Sequence, residues 1–284
     1  MANFSAADVK TLRDLTGAGM LDCKNALQEA DGDVDRAVEI LRVTGKKGVA
    51  KREGRTASNG LIAADIEGDT AGVMLELNCE TDFVAKTEPF QALAARVATI
   101  AGTSKVADPA ELLTVEDDGT SVQAILDEAN AVMGEKVEVR RFVRYAADNA
   151  ADGTPGYVAT YLHRTSPDLP PTVGVLVELD RPDAEVAKDI AQHIAAFMPS
   201  YLDRESIPED VLANERRIAE ATSREEGKPE QALPRIVEGR VNGFVKESAL
   251  LEQGFVKEPK KPVKNVLAEA GVAVRRFTRF RVGQ

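Results

Sequence analysis

The chain has 284 residues, 43% apolar and 29% charged, ordinary values for a globular protein with length for two or three domains and a real core. Its 47 acidic residues against 36 basic ones give a net charge of −11, which argues against a general coat for nucleic acid. Two histidines and two cysteines are too few for histidine-based catalysis, multi-histidine metal sites or a disulfide framework. No apolar run approaches the ~18 residues of a membrane span. Met1-Ala2-Asn3-Phe4 lacks a basic and then apolar leader, so a reducing cytoplasm is the expected location.

Residues 1–44 read as three short helices. Ser5 with Asp8 forms a capping-box pattern, and Val9, Leu12 and Leu15 recur on one face. Thr16-Gly17-Ala18-Gly19 breaks that helix, and Asp22 is placed to cap the next, whose apolar face is Cys23, Ala26, Leu27 and Ala30. Gly32 stops it, and Asp33 caps a third helix with Val34, Ala37, Val38 and Leu41 inward. Residues 45–59 carry Lys46, Lys47, Lys51, Arg52 and Arg55 against Glu53 with no apolar period. They read as a basic linker, either a solvated connector or a contact to an acidic partner or RNA.

From Gly60 the pattern turns to strands: a hairpin over 61–66 and 72–78 with Glu67-Gly68-Asp69 at the turn. A helix follows with Phe90, Leu93, Val97 and Ile100 on one face and Pro89 in its first turn, then a helix over 121–133 and a strand over 137–145. This unit repeats. Gly156-Tyr157-Val158-Ala159 parallels Gly60-Leu61-Ile62-Ala63, and Gly174-Val175-Leu176-Val177-Glu178-Leu179 parallels Gly72-Val73-Met74-Leu75-Glu76-Leu77. A helix over 184–197 follows, with Val186, Ile190 and Ile194 at helical spacing. Val266-Leu267-Ala268-Glu269-Ala270 echoes Ile125-Leu126-Asp127-Glu128-Ala129, and Arg275-Arg276-Phe277-Thr278-Arg279-Phe280 echoes Arg140-Arg141-Phe142-Val143-Arg144-Tyr145.

The second copy is longer, and its excess falls after Tyr201. Residues 208–223, with Val211, Ile218 and Ala219, a turn at Gly227-Lys228-Pro229, and residues 231–244, with Leu233, Ile236, Val237 and Val241, predict an antiparallel helical hairpin. Pro234 belongs in the first turns of its second helix. The fold class is α+β: a bundle over 1–44, a linker over 45–59, a core unit over 60–146, a second over 147–204 and 246–284, and an inserted coiled-coil-like hairpin over 205–245. The core is a duplication with small antiparallel sheets.

Enzyme signatures are absent: there is no phosphate-binding Walker loop, no Gly-x-Ser-x-Gly and no HExxH. Cys23 falls on an apolar helix face and reads as a structural thiol. Cys79, beside Glu80 and Asp82, is a poor nucleophile because neighbouring carboxylates raise its pKa. His193 reads as a helix-flank residue and His163 as a loop histidine after a strand. The most unusual segment is Asn78-Cys79-Glu80-Thr81-Asp82-Phe83-Val84, between a strand and a helix. Either Phe83 folds into the core, as most aromatics do, or it projects as a wedge beside Asp82 to prise apart elements of a partner. Two other classes are open: an adaptor built on the N-terminal bundle, and RNA binding by residues 46–55 and the arginines of 275–281.

Thr11-Leu12-Arg13-Asp14-Leu15-Thr16-Gly17-Ala18-Gly19-Met20-Leu21-Asp22-Cys23-Lys24 resembles the opening signature of the bacterial elongation factor Ts family. Glu76-Leu77-Asn78-Cys79-Glu80-Thr81-Asp82-Phe83-Val84-Ala85 resembles its second signature, and the likeness runs through the doubled core and the hairpin. The resemblance implies a ubiquitin-associated-like bundle and a guanine nucleotide exchange factor for elongation factor Tu, with no covalent chemistry, cofactor or metal of its own. It implies that Thr81, Asp82, Phe83 and Val84 disturb the partner's Mg²⁺ site. Arg13, Met20 and Leu21 would grip a helix of the partner's nucleotide domain, and His163 would touch its far end. No membrane or nucleic-acid partner is implied. Some members dimerise, and the polar hairpin leaves a homodimer open. The chain stops at Val282-Gly283-Gln284, so contacts made by a further C-terminal helix of some members are not expected.

Overall fold

A computed structural model describes residues 3–166 and 169–284, with the backbone alone over 46–51. Residues 167 and 168 and the side chains of the linker lysines Lys46, Lys47 and Lys51 therefore fall outside the described residues.

Helix α1 (Ala6–Thr16) opens on the expected capping box: the Asp8 N–H donates to Ser5 Oγ at 3.3 Å, and the Ser5 N–H to Asp8 Oδ2 at 2.7 Å. It ends at Gly17, whose φ of 68° places it in the left-handed region. Helix α2 (Met20–Glu29) begins earlier than expected, with Gly19 in the N-cap position, so Asp22 stands in the first turn rather than at the cap. There its charge still complements the helix dipole. Helix α3 (Val34–Arg52) is capped by Asp33, which accepts the Arg36 N–H. Leu12, Cys23, Leu27 and Ala37 form the bundle core. Leu15 departs from the predicted stripe and is 68% exposed. At ~100° per residue it lies about 120° around the helix from Val9, too far to share its face.

The basic segment is helical through Arg52, so the connector over 45–59 shrinks to residues 53–58. Tertiary packing overrides the weak local signal. A Cβ on Gly45 would stand 2.8 Å from Ala131 Cβ, and Arg52 Nη1 donates to the Asn130 carbonyl at 3.0 Å. Both partners belong to helix α7 (Val122–Met133) of the core.

The first sheet joins β1 (Asn59–Glu67), β2 (Ala71–Cys79) and β5 (Glu138–Ala146), antiparallel in the order β1-β2-β5. Between β2 and α7 lie α4 (Asp82–Ala85), α5 (Glu88–Ser104), α6 (Pro109–Thr114) and the short strands β3 (Glu116–Asp117) and β4 (Thr120–Ser121). The second sheet joins β6 (Tyr157–His163), β7 (Val173–Leu179) and β10 (Val274–Arg281) in the order β10-β7-β6. The predicted repeat is thus a repeat of topology, with the matched strands β2 and β7 central in each sheet. Phe90, Ala94 and Val97 of α5 pack on one sheet, and Ile190 and Ile194 of α8 (Ala184–Phe197) on the other.

The opposite faces of the two sheets meet through Ile62, Met74, Tyr145, Val158, Leu176 and Phe280. A Cβ at Gly174 would lie 2.5 Å from Ile62 Cγ2, so only glycine permits that approach. Two guanidinium groups, each held by a carboxylate of its own sheet, reach a ring of the other sheet. Buried Glu76 holds Arg141 at 2.8 Å, and the guanidinium lies 4.4 Å from the Phe280 ring. Buried Glu178 holds Arg276 at 2.6 Å, and that guanidinium lies 4.2 Å from the Tyr145 ring.

The insertion forms α9 (Glu209–Glu225) and α10 (Leu233–Ser248), packed through Leu212, Val241 and Val245, with Pro234 in the first turn of α10. Ile218 is exposed instead of inward, because Leu212, Ala219 and Ser223 take the buried face. Strands β8 (Gly254–Phe255) and β9 (Glu258–Pro262) and helix α11 (Val263–Ala270) complete the second unit. No helix among the described residues is long and apolar enough to cross a membrane.

Candidate functional site

Residues 80–87 connect β2 to α5, and the chain on both sides is anchored. Cys79 is buried at the end of β2, and Ala85 is buried at the end of α4. Between them α4 is a single turn. Thr81 caps it, with Oγ1 accepting the Val84 N–H at 3.3 Å, and Thr87 caps α5 in turn. Val84 packs partly against the core. Phe83 points away from it and is 77% exposed. The ring therefore does not fold into the core. Asp82 pairs with Lys86 at 2.5 Å, one turn along, and Lys86 Nζ lies 5.9 Å from the centre of the Phe83 ring. The Lys86 bond holds the Asp82 carboxyl below its ordinary range, so the tip carries an aromatic beside a carboxylate.

The base of this turn is tied down from three directions. The Glu80 carbonyl accepts Asn59 Nδ2 at 2.8 Å, and its carboxylate meets Arg55 Nη1 at 3.2 Å and the Lys136 N–H at 2.7 Å. Cys79 Sγ donates to the Thr81 carbonyl at 3.1 Å. Burial, and then the Glu135 carboxylate, push this thiol up to about 12, so it remains protonated near neutrality. The direction is the one the sequence implies, but the neighbouring Glu80 and Asp82 carboxylates are not its main cause. Burial dominates, and Asp82 contributes least.

The N-terminal bundle offers a second surface. Arg13 is exposed in the last turn of α1, with Met20 and Leu21 exposed at the start of α2. Leu15 and Val43 add exposed apolar area. Leu15 joins this surface although its spacing from Leu12 suggests a shared inward face. Gly17 lies against Val132 of α7, itself partly exposed: a Cβ there would be 2.9 Å from Val132 Cγ1. His163 sits apart from both groups, at the exposed end of edge strand β6, where its Nδ1 is 3.0 Å from the Tyr161 hydroxyl.

His193 is not a helix-flank residue. It is fully buried, accepts the Val256 N–H at Nδ1 (3.1 Å), bonds Gln253 Oε1 through Nε2 (2.8 Å) and stacks on Phe197. Those bonds fix the neutral tautomer with its proton on Nε2. Of the arginines read as an RNA surface, Arg275 and Arg276 are committed to Glu178, and Arg279 donates to the Ala195 carbonyl. No group of three or more His, Cys, Asp or Glu suited to a metal occurs among the described residues. The arrangement offers two surfaces for presentation: a projecting aromatic and carboxylate on a braced turn, and a bundle with exposed apolar side chains.

A family model described as "Elongation factor TS" matches residues 80–284. Over the full length of both chains, the sequence is 58% identical to elongation factor Ts of Thermobifida fusca and 60% identical to that of Acidothermus cellulolyticus. It is 59% identical to elongation factor Ts of Streptomyces griseus, again with complete coverage of both chains.

Proposed function

The chain belongs to the elongation factor Ts family of translation elongation factors, and we propose that it is the guanine nucleotide exchange factor for elongation factor Tu. The observation that carries this reading is Phe83: an aromatic left 77% exposed on a capped turn whose base is tied to Arg55, Asn59 and Lys136. An apolar ring held rigidly in water gains free energy only when a partner covers it.

In this reading the factor makes no covalent change and is not an enzyme in that sense. It binds the nucleotide-free partner more tightly than the nucleotide-bound one, and by linkage each ligand weakens the other by the same factor. Arg13, Met20 and Leu21 dock on a helix of the partner's nucleotide domain. Thr81, Asp82, Phe83 and Val84 then work between helices beside its Mg²⁺ site. Mg²⁺ demands near-octahedral oxygen geometry, so a small shift of its surroundings loses the ion and the phosphates lose their counter-charge. His163 contributes a separate contact from the second unit. We read the bundle as ubiquitin-associated-like and the setting as the cytoplasm. The domain plan is bundle, core unit, second core unit and inserted hairpin, with the connector confined to residues 53–58.

The test loads elongation factor Tu with a fluorescent GDP analogue and chases it with excess unlabelled GDP. Catalytic amounts of this protein should accelerate release. No acceleration by the folded protein would overturn the reading and favour the adaptor alternative.

A further inference from the structure

The Thr81–Val84 turn hangs from a residue outside it. Glu135 lies between α7 and β5, far from the turn in sequence, and is half-buried. Its carboxylate accepts three hydrogen bonds from two successive residues. Oε2 takes the Glu80 N–H at 3.1 Å and the Thr81 N–H at 2.9 Å, and Oε1 takes the Thr81 hydroxyl at 2.6 Å. The clasp is reciprocal, since the Glu80 carboxylate accepts the N–H of Lys136, the residue after Glu135. Thr81 relays the hold: the same hydroxyl that donates to Glu135 accepts the Val84 N–H and so caps α4.

The other end of this anchor reaches the bundle. Glu135 follows Gly134, the left-handed C-cap of α7. The last turns of α7 carry the contacts to the bundle: Asn130 with Arg52, Ala131 beside Gly45 and Val132 beside Gly17. Asn130 is buried and fixes the run beyond the helix through both backbone groups of Val137. Residues 130–136 thus grip the docking bundle on one side and the Phe83 turn on the other.

We propose that Glu135 is a positioning residue: it sets the direction of Phe83 relative to α7, and through α7 relative to the surface of Arg13, Met20 and Leu21. The proposal rests on the exchange reading and deepens it. A single helical turn cannot hold itself, because helix nucleation is unfavourable. Charge-assisted bonds to a carboxylate are short and strong and supply the missing order. A wedge ordered before docking does not lose its contact energy to ordering on arrival.

The test uses the full chain with Glu135→Ala and Glu135→Gln, and measures stimulated GDP release against factor concentration. Glu135→Ala should lower the maximal rate roughly 10-fold while the half-saturating concentration moves less than about 3-fold, because the bundle surface is untouched. Glu135→Gln keeps an acceptor oxygen and should recover part of the rate. A second readout is independent of the partner. The chain has no tryptophan, so Phe83→Trp supplies a single indole at the tip. Its nanosecond anisotropy should decay further when Glu135→Ala is added.

Unchanged anisotropy would overturn the proposal, and so would loosened anisotropy with an unchanged maximal rate. If Glu135→Ala loses the far-ultraviolet circular dichroism of the whole chain, Thr81→Val decides in its place. Thr81→Val, which removes the hydroxyl's bond to Glu135 together with its cap on α4, should fold and show a smaller loss of rate in the same direction; an unchanged rate would overturn the proposal. Failure of the unmutated protein to release GDP would sink the exchange reading instead, and the anisotropy alone would then decide whether Glu135 fixes Phe83.

Discussion

Truncating Phe83 to alanine separates function from folding more cleanly than any other single change in this chain. With 77% of the residue in solvent, its ring contributes under a quarter of its possible burial to the folded state. Fully burying a phenylalanine is worth ~1.5–3 kcal/mol, so a partner that covers the remaining area gains about 1.2–2.3 kcal/mol. If that gain is realised only while nucleotide leaves, its loss slows stimulated release by roughly 8- to 50-fold. The folded protein should lose no more than ~0.5 kcal/mol, as for other exposed substitutions. Urea denaturation measures the second quantity and the fluorescent GDP chase the first. A Phe83→Ala protein that releases GDP at the full rate refutes the wedge. One that loses ~2 kcal/mol or more of stability refutes the placement of the ring outside the core.

Other outcomes follow from the packing and from burial. Glu178→Ala strands Arg275 and Arg276 beside a vacated buried site; because both guanidinium groups retain solvent contact, the cost in urea denaturation should be ~2 kcal/mol, below the 3–5 kcal/mol of a fully buried pair. Glu76→Ala should behave alike at Arg140 and Arg141, and a cost for one far from the other would refute the equivalence of the two copies. Burial holds the His193 imidazole below its ordinary range, so the unfolded chain takes up the proton more readily than the folded one. Its contribution is complete above pH ~6.5 and is lost as pH falls below that value, so Tm between pH 7.5 and 5.5 should drop more in the natural protein than in His193→Gln; equal drops would refute this. Gly17→Ala meets both a left-handed backbone and Val132, and should cost ~1–2 kcal/mol, of which Val132→Ala restores the steric part.

Periodicity made the elements legible, and it did so wherever one face of an element settles its fate. The three-helix pattern, the hairpin of β1 and β2, the span of α8 and the place of Pro234 all follow from local residue chemistry. The failures share a cause. Leu15 shares a stripe in sequence with Val9 and Leu12, and Ile218 falls near helical spacing with Val211 and Ala219, because apolar neighbours suggest a face that packing does not bury. His193 reads as flanking in the sequence because the segment that buries it, with Gln253 and Val256, lies about sixty residues away. Residues 45–52 looked like a connector because their helix is held by α7, a partner that no local pattern announces. Phe83 was ambiguous for the same reason: exposure is a property of what the rest of the chain leaves uncovered.

The duplication explains why the site occurs once. Beyond the central strand, the second copy reaches its helix directly through residues 180–183, while the first takes residues 80–87 and inserts α4. Both copies secure the strand's end with a carboxylate on a backbone N–H preceding the third strand. Asp180 Oδ1 takes the Ala273 N–H at 2.7 Å, and Glu80 Oε1 takes the Lys136 N–H at 2.7 Å. The clasp therefore belongs to the common scaffold, and the turn bearing Phe83 is an elaboration mounted on it. Only the first copy adds Glu135, which turns a device that closes a strand into one that aims a side chain. A scaffold built twice and elaborated once is what is expected when stability resides in the sheets and function in a loop they hold still.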